Sequence, residues 1–210
     1  MPIEIKICGL NSPEAIDSAV DAGATHLGLI HFASSPRHVE LDAAARLRAR
    51  VPRDRKVVLL TVELEAQAFA LAVQAIQPDV VQFHGREHPD YVAQVRQAAN
   101  FEVWKAVGLR SAKTLENAAK WQGKVDRLIF DAPAKALPGG NGEVFDWTLL
   151  ANHDHQVDWG LAGGLTPANV AEAIRVTGAP LVDTASGVES SPGIKDPGKI
   201  RAFCEAARNA

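Results

Sequence analysis

Residues 3–30, IEIKICGLNSPEAIDSAVDAGATHLGLI, hold one complete cycle of strand, helix and strand. Ile3 to Cys8 is a short aliphatic run, and His26 to Ile30 is a second; both read as strands buried on two faces, as in a parallel sheet. Between them Pro13 to Ala22 has helical periodicity. Asn11-Ser12-Pro13-Glu14 puts a small capping side chain ahead of Pro at the first helical position, and Gly23 stands where the helix should stop. The same cycle recurs along the chain. Further strands are read at Val57 to Val62, Asp79 to Phe83, Val103 to Val107, Leu128 to Phe130, Val157 to Leu161 and Pro180 to Val182. Helices are read at Leu41 to Arg50, Glu65 to Ile76, Pro89 to Ala98, Pro167 to Val176, with Thr166 as its cap and Gly178 as its stop, and Pro197 to Ala207; Ala112 to Gln122 is a weaker fifth helix. About eight strand and helix units without a composition break predict a single α/β domain over residues 1–210, a (β/α)8 TIM barrel. An open doubly wound sheet is disfavoured, because no G-x-G-x-x-G follows the first strand.

Composition excludes several other classes. The chain has 210 residues, 47% hydrophobic, and a formal net charge of -3 with acids and bases interspersed, so a nucleic-acid-binding footprint is not expected. No basic start followed by a long apolar run opens the chain, and no stretch reaches the roughly 18 apolar residues of a membrane span. The two cysteines, Cys8 and Cys204, lie far apart with no metal-ligand spacing, which favours a reducing, cytoplasmic setting over a disulfide scaffold or zinc site.

In a (β/α)8 barrel the chemistry gathers where strands end and βα loops begin. Those positions are Cys8, the Ser34-Ser35-Pro36-Arg37 loop, Gln82 and His84, Asp131, Gly163-Gly164, and Ser186-Gly187. Gly163, Gly164, Ser186 and Gly187 belong to the two final glycine turns, whose backbone N–H groups suit a phosphate; tightening the turns is the alternative role. Cys8 and Asp131 come from opposing strands and form a base and acid pair if Lys6 or the phosphate loops lower the thiol and desolvation raises the carboxyl. A buried inert thiol and a turn aspartate are the alternatives. Arg37 has the planar fork to clamp a carboxylate, or is a solvated loop residue. Gln82 and His84 are possible substrate contacts; His153 and His155 precede the seventh strand, on the opposite rim. No alternating set of histidines and carboxylates surrounds the mouth, so no metal is expected. Cys204 reads as core. The glycine-rich stretch Ala132 to Glu143 reads as a lid.

KICGL from Lys6, SPRHV from Ser35, VQFHG from Val81, FDA from Phe130, FDW from Phe145, LAGGLTPANV from Leu161 and SGVESSPGIKD from Ser186 occur in this order. Together they resemble the phosphoribosylanthranilate isomerase family over essentially the whole chain. The resemblance implies an Amadori rearrangement in tryptophan biosynthesis without metal or organic cofactor. It makes Cys8 the general base, Asp131 the general acid, Arg37 the ligand of the substrate carboxylate and the two glycine turns the phosphate cradle. The expected partner is a small phosphorylated molecule, neither nucleic acid nor membrane, and the expected assembly a monomer, with a dimer left open. HFAS from His31, VLLTVE from Val58 and GGNGE ending at Glu143 depart from the family pattern; no effect is assigned to His31 or Glu143. The competing readings are the related aminoaldose-phosphate isomerase barrel of histidine biosynthesis, against which Cys8 argues, and a noncatalytic phosphate-binding barrel.

Overall fold

A computed structural model describes residues 2–132, 146–151 and 153–210. Eight parallel strands close into a barrel in sequence order: β1 (Glu4–Cys8), β2 (His26–His31), β3 (Lys56–Thr61), β4 (Val80–Phe83), β5 (Glu102–Gly108), β6 (Arg127–Asp131), β7 (Asp158–Leu161) and β8 (Leu181–Thr184). Around them lie α1 (Pro13–Asp21), α2 (Leu41–Arg48), α3 (Ala66–Ile76), α4 (Pro89–Ala98), α5 (Ala112–Glu116), α6 (Val170–Thr177) and α7 (Pro197–Arg208). The (β/α)8 barrel read from the alternation is therefore the observed fold. Ser12 caps α1 by accepting the Ala15 N–H at 3.2 Å, and Gly23 and Gly178 take the left-handed conformation, φ +78° and +69°, as the helices end.

Strand side chains alternate between the barrel interior and the helices. Ile5, Ile7, Leu27 and Leu29 point outward into the main core with Ile16 of α1 and Phe203 of α7. The opposite phase fills the interior with Val58, Val80, Trp104, Ile129 and Leu181, and nearer the mouth with Cys8, Ile30 and Leu60. This phase aims Lys6 and Cys8, His84, Asp131 and Asp183 at one enclosed space. Cys8 pairs with Gly28, whose missing side chain leaves room for the thiol: a Cβ on Gly28 would lie 3.0 Å from Cys8 Sγ.

Three local expectations change. The helix predicted from Pro167 starts at Val170, because Asn169 Oδ1 accepts the Thr166 N–H at 2.7 Å and its amide donates to the Gly164 carbonyl at 3.1 Å, folding 166–169 into a turn. Thr166 is thus not the cap. The helix predicted over Ala112 to Gln122 is α5 followed by a 3-10 turn at Asn117–Trp121, which brings Trp121 into the core. After β8 the chain makes an antiparallel hairpin not expected from the sequence, β9 (Glu189–Ser191) and β10 (Ile194–Lys195). Most of the proposed lid, with Glu143 and Phe145, lies outside the described residues.

Candidate active site

At the C-terminal ends of the strands lies a cleft of about 630 Å³, its open mouth included. Cys8, Arg37, His84, Asp131, Gly163, Gly164, Ser186 and Gly187 line it together, as their strand-end positions require. The apolar walls are Ile30, Phe32, Leu60 and Val62. Gln82 does not line the cleft. It is fully buried one layer below, where its Nε2 lies 3.2 Å from His84 Nδ1. The other ring nitrogen, Nε2, faces Asp131 Oδ2 at 3.4 Å, so Gln82 holds the imidazole from behind. Its reach to the site is through His84.

The thiol environment departs from the expectation of a simply acidified cysteine. Burial pushes the Cys8 thiol up, and Lys6, followed more weakly by Lys195, pulls against that shift without reversing it. Lys6 is fully buried and donates to Asp183 Oδ2 at 2.6 Å. Burial alone would lower the Lys6 ammonium, but Asp183 and Cys8 outweigh it and hold Lys6 above its ordinary value. Asp183, which also lines the cleft, is a site residue the sequence reading passed over. Its signal was available: it stands two residues after Leu181, in the inward phase of β8.

Arg37 is not a solvated loop arginine. Its stem crosses Gly9, where a Cβ would lie 2.6 Å from Arg37 Cδ, and its Nε and Nη2 donate to Glu189 Oε1 and Oε2 at 2.7 and 2.8 Å. Two of its five N–H donors are thereby used, and the residue still lines the cleft. A buried lysine organises the opposite wall. Lys105 Nζ donates to the carbonyls of Phe83, Gly85 and Ala106 and lies 3.4 Å from Glu87, which in turn accepts the Gly85 N–H; the segment carrying His84 is held from both sides.

The two glycine turns meet through Thr184, whose hydroxyl donates to the Leu165 carbonyl at 2.7 Å. Gly163 and Gly164 have φ +87° and +64°. A Cβ on Gly187 would overlap the Leu165 carbonyl oxygen and lie 2.8 Å from Thr184 Oγ1. Gly187→Ala is therefore expected to separate the turns, at a cost of about 1–3 kcal/mol in stability from overpacking, measured by denaturant melts. A melt unchanged from the parent would show that the turns have slack.

The remaining predicted positions fall outside the cleft. His31 is half-buried at the end of β2, where its Nδ1 meets the Val39 carbonyl at 3.1 Å. His153 and His155 sit before β7; the His155 ring stacks on Trp159 at 4.1 Å, and burial lowers its pKa to about 4. Cys204 is fully buried in α7, its thiol pushed up to about 11 by burial, as suits a core residue. Among the described residues no cluster of three or more metal-ligating side chains occurs, and no helix is long and apolar enough to cross a membrane.

A closed parallel barrel with a thiol, a carboxyl and an arginine fork around one mouth, beside two interlocked glycine turns, defines a (β/α)8-barrel enzyme site built for a small ligand. Residues 5–206 match the family model of N-(5'-phosphoribosyl)anthranilate (PRA) isomerase. The N-(5'-phosphoribosyl)anthranilate isomerase of Erythrobacter litoralis is 62% identical over 206 residues, 98% of this chain and 99% of that protein. The crystal structure of phosphoribosyl anthranilate isomerase from Thermotoga maritima superposes with a TM-score of 0.91 at 28% identity, covering 99% of this chain and 100% of the other. A further such structure, in complex with reduced 1-(o-carboxyphenylamino)-1-deoxyribulose 5-phosphate, has a TM-score of 0.88 at 28% identity, with the same coverage. The chain belongs to the N-(5'-phosphoribosyl)anthranilate isomerase family.

Proposed function

We infer that this chain converts N-(5-phosphoribosyl)anthranilate to 1-(2-carboxyphenylamino)-1-deoxyribulose 5-phosphate, a step of tryptophan biosynthesis, with Cys8 as general base and Asp131 as general acid. The observation that carries the reading is that Cys8 and Asp131, from strands three places apart around the ring, line one cleft in a chain of this family. Asp131 gives its proton to the furanose ring oxygen as the C1–O bond breaks, and the nitrogen lone pair forms C=N. The Cys8 thiolate then takes the C2 proton, and the C–H electron pair becomes the C1–C2 double bond of an enolamine. Tautomerisation, with a proton added at C1 and the O2 proton lost, gives the ketone. Oxidation at C2 balances reduction at C1, so the rearrangement needs no external redox partner.

Arg37 receives the anthranilate carboxylate on its unused N–H groups, and the turns at Gly163-Gly164 and Ser186-Gly187 receive the phosphate. The apolar wall of Ile30, Phe32 and Leu60 suits the aromatic ring. Cys8 also supports this reading over that of the histidine-pathway isomerase. The direct test is fluorescence-monitored consumption of phosphoribosylanthranilate by the purified protein, run beside the histidine-pathway aminoaldose phosphate. Steady loss of the anthranilate substrate is expected; turnover of the second compound alone would replace this reading. Arg37→Ala should raise KM at least about tenfold while kcat stays within a few-fold, since the carboxylate is held alike in ground and transition states. An unchanged KM would remove Arg37 from substrate binding.

A further inference from the structure

The hairpin that follows β8 does more than close the chain onto α7. Its first residue, Glu189, is buried, and its carboxylate takes four hydrogen bonds: from Arg37 Nε and Nη2, from Lys195 Nζ at 2.7 Å and from the Gly193 N–H at 3.3 Å. Burial alone would raise this carboxyl, but Arg37 and Lys195 hold it below the ordinary glutamate value, so it remains an anion. Lys195 is pinned in turn by the Ala185 carbonyl at 2.8 Å, and Lys199 holds the Glu189 backbone carbonyl at 2.7 Å. The hairpin tip is seated against the loop that carries Arg37. A Cβ on Gly193 would lie 2.5 Å from the Pro36 carbonyl oxygen, and Asn11 Nδ2 donates to the Gly193 carbonyl at 2.9 Å.

A guanidinium has two edges that accept a carboxylate in its plane: the side edge, Nε with Nη2, and the end edge, Nη1 with Nη2. Glu189 occupies the side edge. A second carboxylate can approach bidentately only at the end edge, and the plane of approach is set by the Glu189 pair. Without Glu189 the stem would still rest on Gly9, but rotation of the head would expose either edge.

We propose that Glu189 is a positioning residue that presents the end edge of Arg37 to the carboxylate of the substrate, making the site selective for a carboxylated aromatic amine. This rests on the proposed substrate and on Arg37 as its carboxylate ligand. Arg37, Lys195 and Lys199 gather around one internal anion, so the cluster keeps a net positive charge for an incoming anion without a free, mobile arginine. Selectivity then comes from a fixed fork rather than from bulk potential.

The test compares two ligands by titration calorimetry: reduced 1-(o-carboxyphenylamino)-1-deoxyribulose 5-phosphate and its phenylamino counterpart without the carboxylate. The wild-type protein should prefer the first. Glu189→Gln should cut that preference about tenfold, leaving affinity for the second within about twofold, and should add little in an Arg37→Ala background. Glu189→Asp, which keeps the charge but shortens the reach, should reduce the preference in the same direction; circular dichroism confirms the fold, and this variant decides the matter should the glutamine variant not fold. Equal losses for both ligands would reduce Glu189 to a hairpin anchor. A gain in affinity for the carboxylated ligand would make it a competing anion instead. Either result overturns the proposal while leaving the substrate reading standing. No wild-type preference for the carboxylate would remove Arg37's role and the proposal with it.

Discussion

Replacing Cys8 or Asp131 by alanine is expected to lower kcat at least about 100-fold in either variant, the low end for loss of a general acid or base, with the barrel intact. The two residues act in successive proton transfers, so neither can stand in for the other. Both side chains are small and border the open cleft, and although Cys8 also packs on Ile30 and Leu60, little packing is lost with its thiol. Stability should therefore change little. Cys8→Ser is a sharper probe, because it keeps the size and replaces the thiol by a much weaker acid; its rate should fall nearly as far as that of Cys8→Ala. Stopped assays of substrate consumption with circular dichroism as a fold check give the answer, and near-native turnover in any of these variants would remove that residue from the chemistry.

Lys6→Met should produce the largest stability loss, about 3–5 kcal/mol near neutral pH, by leaving the buried Asp183 carboxylate without its partner. The sign of the pH dependence follows from the direction of the Asp183 shift. Burial pushes the Asp183 carboxyl up and Lys6 pulls it down, so removing Lys6 raises it further. An acid whose folded pKa is raised costs stability above the unfolded value and costs nothing once protonated in both states. The penalty of Lys6→Met should accordingly shrink as the pH falls toward the ordinary aspartate range, near 4. Adding Asp183→Asn should recover much of the loss, as removing both charges of a buried pair usually does. Urea melts across pH 4–8 test each statement; a loss independent of pH would locate the damage in packing, not charge.

The same substitution should disturb the thiol. Lys6 is the main influence opposing burial at Cys8, so its removal should move the rising limb of the pH–rate profile to higher pH. A fixed rising limb in the folded variant would mean that the limb does not report Cys8.

The fold was legible because its signals are local. The short apolar strand runs, the Ser12 cap, Gly23 and Gly178 all lie within a few residues of the structure they specify. The error at Thr166 is instructive: Ser or Thr followed by Pro predicts a cap, and at Ser12 it makes one, but at Thr166 the Asn169 carboxamide takes the Thr166 N–H and reaches back to the Gly164 carbonyl, and the helix starts only at Val170. The cleft lining was largely legible too, since strand ends of a barrel converge whatever their chemistry. Gln82 shows the limit of that reasoning. Position along a strand selects a face, but a difference of two residues decides whether a side chain meets the ligand or supports the one that does.

By itself the sequence determined the strand and helix alternation, the closed parallel barrel, the family and the roll of side chains at the mouth, Cys8 and Asp131 among them. Only the tertiary structure decided how those side chains are held. Lys6 meets Asp183 across 177 residues of sequence, and Arg37 meets Glu189 across 152. Closing the barrel brings β1 beside β8, and the hairpin after β8 returns over the loop after β2. Backbone and capping preferences act over a few residues and are written locally. Burial, ion pairing and the resulting protonation states depend on which distant groups share a low-dielectric space, and that is defined only once the ring is closed.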